Sequence, residues 1–246
     1  MVPFLQRQSR AALDPAAVSS LLTGIVAYWK CDEASGNLLD SVGSNHLTTS
    51  NVGSTTGKIG NCRDWDLSTS SNALINDNAD LSMGDIDFSI CAWVNLKSKP
   101  ASVMNIVCKR QNENNPHGLE YWIRWINTSD RFEFLVSNNG EVGGMTTLTA
   151  TNFGAPSLAT WYFIAARHDA AANVISISVN DGTPNTASHS GGAYDGTEKF
   201  GIGNTAFPNG YFDGQIDEVG LWKRYLTDAE ITTLYNGGTG KTHPFS

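Results

Sequence analysis

Two carboxylates at alternate positions of one strand point the same way, and a pair about 5–5.5 Å apart can serve as nucleophile and acid in a retaining glycosidase. The nearest approach to such a pair is Gln215-Ile216-Asp217-Glu218-Val219, where Gln215 takes the place of a first carboxylate and no further Glu follows. Arg131-Phe132-Glu133-Phe134 offers one carboxylate without a partner at alternate positions. The five histidines (His46, His117, His168, His189 and His243) are scattered, and Arg167-His168-Asp169 reads as a polar strand end rather than a His-based lyase centre. No nucleophile elbow, phosphate loop or His-Glu-x-x-His run occurs. Cys31, Cys62, Cys91 and Cys108 lack the close pairs of a zinc site. They read as free buried thiols, with disulfide pairing left open. The chain is expected not to be an enzyme.

Binding chemistry has better candidates. Along Tyr121-Trp122-Ile123-Arg124-Trp125, Tyr121, Ile123 and Trp125 share one face of a strand while Trp122 and Arg124 share the other. Trp122 beside Arg124, with His117 from the polar loop 110–118, is the expected carbohydrate-binding set: a ring to stack on and groups to hydrogen-bond. Sandwich cores also consume large aromatics, so at least one of the two tryptophans is expected inside.

The elements that would position these residues are strands. The chain has 246 residues, 40% of them apolar, with 24 glycines but only 16% charged residues. Helices draw on Glu, Lys and Arg for their wet faces, so this charge deficit favours sheets and turns. A net charge of −8 excludes an electrostatic footprint for nucleic acid or an anionic membrane. No apolar run approaches the roughly 20 residues of a membrane-spanning helix. Period-two runs predict strands over 25–31, 58–66, 72–75, 86–97, 103–109, 119–127, 131–137, 145–150, 160–168, 173–180, 198–203 and 211–225, separated by turn signals such as Asn180-Asp181-Gly182. Thr227-Asp228-Ala229-Glu230 is a capping box, predicting one C-terminal helix stopped by Gly237-Gly238. Residues 1–24 form a separate arm with a short helix beginning at Asp14-Pro15, and Phe4, Leu5, Arg7 and Arg10 are its candidate anchoring residues.

Four ordered motifs carry a family resemblance. They are Ala27-Tyr28-Trp29-Lys30-Cys31-Asp32-Glu33 running on to Asp40, then Asp87-Phe88-Ser89-Ile90-Cys91-Ala92-Trp93-Val94. Next comes Trp161-Tyr162-Phe163-Ile164-Ala165 with Asn180-Asp181-Gly182, and last Phe212-Asp213-Gly214-Gln215-Ile216-Asp217-Glu218-Val219 with Trp222-Lys223-Arg224-Tyr225. Over about residues 25–240 the chain resembles the laminin G-like, concanavalin A-like lectin/glucanase superfamily in its bacterial and viral branch. The resemblance implies an all-β jelly-roll sandwich of two curved antiparallel sheets over 25–246. It also implies one structural calcium at the sandwich edge, with Asp217 and Asp40 as ligands.

The first residues, Met-Val-Pro-Phe-Leu-Gln-Arg, lack the basic start, apolar stretch and cleavage site of a signal peptide. With an arm and no enzymatic residues, the expected role is a structural or decoration protein on the surface of a tailed-phage virion, in capsid or tail. The arm would hold neighbouring virion proteins, the jelly roll would take glycans, and self-association is left open. The alternative is a free extracellular carbohydrate-binding lectin.

Overall fold

The computed structural model describes residues 20–110, 117–205 and 209–245, and its strands form two antiparallel sheets packed face to face. One sheet has eight strands, ordered β13 (Asn185–Ser188), β12 (Val174–Val179), β11 (Trp161–Asp169), β6 (Phe88–Leu96), β15 (Gly214–Trp222), β4 (Asn61–Trp65) and β3 (Gly53–Thr56), with β1 (Ile25–Trp29) also paired to β15. The other runs β10 (Met145–Thr149), β9 (Arg131–Ser137), β8 (Leu119–Ile126), β7 (Met104–Arg110), β14 (Phe200–Ile202), β5 (Asn72–Ile75) and β2 (Thr48–Ser50). The jelly-roll sandwich expected from the sequence is present.

The central strands of the eight-stranded sheet are covered on both faces. On β6, Phe88, Ile90, Ala92, Val94 and Leu96 enter the core between the sheets, while Cys91 and Trp93 enter a second cluster outside it. That cluster is closed by helix α1 (Asp228–Tyr235) and the tail, through Ile231, Leu234 and Phe245. Trp93 stacks on Tyr235 at 5.8 Å and Phe245 meets Trp222 at 6.2 Å. Strands buried on both sides lose strict polar alternation, which explains why β6 and β15 read as nearly continuous apolar runs. All four cysteines are buried and unpaired; burial raises their thiols, to about 12 for Cys62, Cys91 and Cys108.

Strands β2, β3 and β13 are absent from the sequence expectation. They read Thr-Thr-Ser, Gly-Ser-Thr-Thr and Asn-Thr-Ala-Ser, and each lies at a sheet edge. An exposed edge strand has no buried face to impose an apolar period, and short polar edges also discourage pairing with other chains.

Anchoring candidates Phe4, Leu5, Arg7 and Arg10, and most of the arm helix, lie outside the described residues. The described end of the arm, residues 20–24, packs against the domain. Leu21 is fully buried in the outer cluster, and its carbonyl accepts the Trp222 indole N–H at 2.8 Å. Arg224 donates to the Thr23 and Ser20 carbonyls and grips Glu230, whose carboxylate also accepts from Ser20 and completes the capping box with Thr227.

Glu230 therefore ties arm, last strand and helix together. Replacing it with Ala should lower the unfolding free energy in urea titrations by about 2 kcal/mol. Burial acts to raise its carboxyl, but bonds from Arg224, Ser20 and Thr227 outweigh it and hold the pKa at about 2. Its contribution is then complete above about pH 4.5 and lost as pH falls toward 2, and Glu230→Gln should flatten that slope.

Candidate functional site

Cross-strand register places one row of residues across all seven strands of the smaller sheet: Thr48, Leu74, Gly201, Cys108, Trp122, Leu135 and Thr147 are successive Cα partners. Their strand neighbours Ala73, Val107, Ile123 and Phe134 point into the core, so this row faces outward. At one end it opens into a groove of about 370 Å³ lined by Thr48, Ser50, Asn72, Leu74, Asn76 and Lys199. A Cβ at Gly201 would overlap the Asn204 carbonyl oxygen and come 2.8 Å from the Leu74 side chain. Glycine thus lets the Asn204 backbone cover the middle of the row, and the open part of this face is the groove at the Thr48–Leu74 end, with its hydroxyls and amides.

Further along, Cys108, Trp122 and Leu135 form an apolar patch separate from the main core. The alternation read from the sequence holds here: Tyr121, Ile123 and Trp125 are in the core, while Trp122 and Arg124 lie on the other face. Trp122 nevertheless has 1% of its surface exposed, so it offers no open ring face. The Arg110 guanidinium lies 4.8 Å from its ring centre and that of Arg124 lies 6.0 Å away. Arg124 donates to Glu133 from Nε and Nη2 at 2.9 and 2.8 Å, and Thr149 donates to the other Glu133 oxygen at 2.9 Å. The indole N–H of Trp122 has no hydrogen-bond partner among the described residues. His117 is 56% exposed and paired with Tyr194, 5.6 Å between ring centres, with its Nδ1 2.9 Å from the Asn139 carbonyl. The structure thus joins Trp122 to Arg124 and sets His117 beside Tyr194. Tyr194, Lys199 and the Thr48–Asn76 groove were not singled out by sequence reasoning; their assembly depends on register between strands far apart in the chain.

The residues expected to hold calcium do not fit it. Asp40 Oδ1 accepts the N–H groups of Tyr28 and Val42 at 3.0 and 2.9 Å, and Oδ2 accepts that of Asn45 at 3.0 Å. Oxygens already facing N–H donors are poor ligands for a cation that requires six to eight oxygens. Asp217 Oδ2 accepts from the Lys58 and Ile59 backbone at 2.8 and 3.0 Å, pinning the β3–β4 turn. Its neighbour Glu218 accepts from the Tyr28 hydroxyl at 2.6 Å. The remaining oxygens, Asp217 Oδ1 and Glu218 Oε1, are buried without partners, and no set of three ligating side chains forms among the described residues.

Burial instead pushes these carboxyls up, Asp217 to about 8 and Glu218 to about 7, against the bonds they accept. A raised folded pKa gives stability that is complete below about pH 4 and lost as pH climbs toward 8. The protein should unfold at lower urea at pH 8 than at pH 5. Asp217→Asn keeps an acceptor for both N–H groups and should narrow that gap at little cost at pH 5, whereas Asp217→Ala should narrow it as well but cost about 2 kcal/mol at pH 5.

Two antiparallel sheets packed as a jelly roll, with a groove at one end of the outer face, define a β-sandwich of the concanavalin A-like type. The family model of the concanavalin A-like lectin/glucanases superfamily matches residues 67–232, and the chain belongs to that superfamily, in its laminin G group. No curated protein sequence matches the chain. Among solved structures it is similar to domain 4 of AbnA, a GH43 extracellular arabinanase from Geobacillus stearothermophilus, in complex with arabinotriose (15% identity, TM-score 0.60, covering 88% of this chain and 98% of that one). It is also similar to the binding domain of Paraclostridial Mosquitocidal Protein 1 (13%, TM-score 0.67, 89% and 53%). A third likeness is to the botulinum neurotoxin serotype D ligand binding domain in complex with N-acetylneuraminic acid (12%, TM-score 0.67, 90% and 52%). The chain spans about half the length of the two toxin domains, and at these identities the likeness is one of fold.

Proposed function

We propose that the chain is a non-catalytic glycan-binding module that takes a saccharide in the groove at one end of the outer face of its seven-stranded sheet. The observation that carries this reading is the groove of about 370 Å³ at the Thr48–Leu74 end of the row. At the groove end, Asn72, Thr48, Ser50 and Lys199 offer donors and acceptors, and Leu74 offers an apolar surface for a ring face. Trp122, Arg124 and His117, the residues expected from the sequence, lie outside this groove. The arabinotriose and N-acetylneuraminic acid complexes of similar folds are in keeping with this reading.

Catalysis is not proposed for this face. Glu133, on the same outer face, is nearly buried and held by Arg124 and Thr149. The adjacent pair Asp217 and Glu218 is buried in the other sheet.

The packed joint at Ser20–Gly24 supports a second element of the proposal: the module is displayed by a larger assembly, a tailed-phage virion surface, through the residues before it. A rigid joint fixes how the groove is presented, which a tethered free lectin would not need. Among the described residues no helix is long and apolar enough to cross a membrane.

On polysaccharide arrays and by titration calorimetry the chain should bind at least one glycan saturably, and Asn72→Ala and Lys199→Ala should each weaken that binding about tenfold. Absence of any binder on a broad array would sink the glycan reading. Removing residues 1–19, which leaves the joint in place, should keep melting and glycan binding unchanged while abolishing incorporation into particles. Incorporation by the truncated chain would remove the anchoring role.

A further inference from the structure

Charge around the groove differs from that of the molecule as a whole. The chain carries a net charge of −8, yet no carboxylate lines the groove beside β2 and β5. Its ionisable lining residues are Lys199 and His46, both exposed. Acids adjacent to it are turned to other work. Asp40 holds three backbone N–H groups with its carboxylate. Asp77, next to Asn76, pairs with Lys109 at 2.8 Å and accepts from Ser82 at 3.1 Å. Glu198, next to Lys199, does not line the groove. Lys97, Lys99 and Lys109 each have a carboxylate partner, whereas Lys199 makes no ion pair among the described residues.

Strand register puts the lining in order. Thr48 pairs with Leu74, and the partly exposed Leu74 forms the middle of the groove. Ser50 and Asn72, also Cα partners, bring a hydroxyl and an amide to one side of it. Two residues away on the other side, beyond the paired positions, come His46, Asn76 and Lys199. Two residues of strand span about 7 Å, so this row lies one sugar ring away from the Thr48–Leu74 row. His46 Nδ1 accepts the Asp40 N–H at 2.9 Å, which leaves the proton of the neutral ring on Nε2, a donor. The Asn76 amide is a second donor. One end of the groove therefore offers donors and positive charge, the middle an apolar surface, and the other end groups that both donate and accept. A neutral sugar leaves the ammonium of Lys199 without a counterion, whereas an acid group takes it in a charge-assisted bond, stronger than a neutral one.

We propose that the groove selects an acidic saccharide, one whose carboxylate meets Lys199, His46 Nε2 and Asn76 while its ring lies on Leu74 and its hydroxyls reach Asn72 and Ser50. Uronic and sialic acids both carry such a carboxylate beside a sugar ring. The selectivity rests on the glycan reading of the same groove. Because Lys199 is exposed, salt screens its attraction, and the preference depends on ionic strength.

Two matched pairs, trigalacturonate against galactotriose and sialyllactose against lactose, are titrated into the full chain and followed by calorimetry and amide spectra. At least one acidic member should bind about tenfold tighter than its neutral counterpart, and the pair that shows it separates uronic from sialic acids. The shifts should fall on Thr48, Asn72, Leu74 and Asn76. Raising sodium chloride from about 50 to about 500 mM should remove most of the preference. Lys199→Gln should remove it too, whereas Lys199→Arg, which keeps the charge, should retain it. The proposal is overturned if no acidic member binds tighter than its neutral counterpart, if the shifts fall elsewhere, or if the preference survives Lys199→Gln. Neutral members that bind as tightly and move the same amides would leave the glycan site standing without its selectivity. If none of the four sugars and no glycan on a broad array binds, both readings fall.

Discussion

The fold turns on one irregularity, the bulge at Asp217–Glu218 in β15. Before it, β15 pairs with β4; after it, β15 pairs with β1, while β6 runs alongside both halves. Glu218 adopts a left-handed φ of 51°, and the extra residue resets the phase so that Ile216 and Val219 both enter the core. One strand thereby carries two different neighbours in succession without sending an apolar side chain to solvent. The two carboxylates make the exchange possible: Asp217 gathers the turn that leads into β4, and Glu218 holds the tyrosine of β1. Backbone N–H groups at the gap between two partner strands need acceptors, and a side chain at the bulge is the nearest source.

The two sheets are used differently. β6, β11 and β15 are sealed on both sides, one by the opposing sheet and the other by α1, the tail and the end of the arm. In the seven-stranded sheet β7, β8 and β9 are likewise buried on both faces, and the outer side opens at the end formed by β2 and β5. Dry, doubly covered strands make a rigid base, and the edge beyond them carries the open groove. Rigidity of the base matters for a binding surface, because ordering the protein at the moment of binding subtracts from affinity.

How much of this was legible in the sequence depends on how local the cause is. β5 and β9 fall at 72–75 and 131–137 as their alternation predicts, and the capping box at Thr227–Glu230 forms with both of its bonds. Those signals need only neighbours in sequence. The edge strands were not legible because nothing buried imposes a period on them. The placement of Trp122 on the outer face was legible from parity, but its burial was not, since Arg110 comes from another strand. Asp217 stood out as part of a motif, yet its work is done on Lys58, 159 residues away. The groove was least legible of all, because it exists only once β2 and β5 are in register and Lys199 is brought beside them.

The four thiols carry a consequence for where such a molecule can live. Each is buried and unpaired, and burial keeps thiolate scarce at neutral pH, so attack on a disulfide or by an oxidant has little to act on. No covalent cross-link joins the four cysteines, so strand pairing does not wait on oxidation. The same folded chain is therefore indifferent to redox poise: it can be assembled in a reducing interior and displayed in an oxidising exterior without rearrangement.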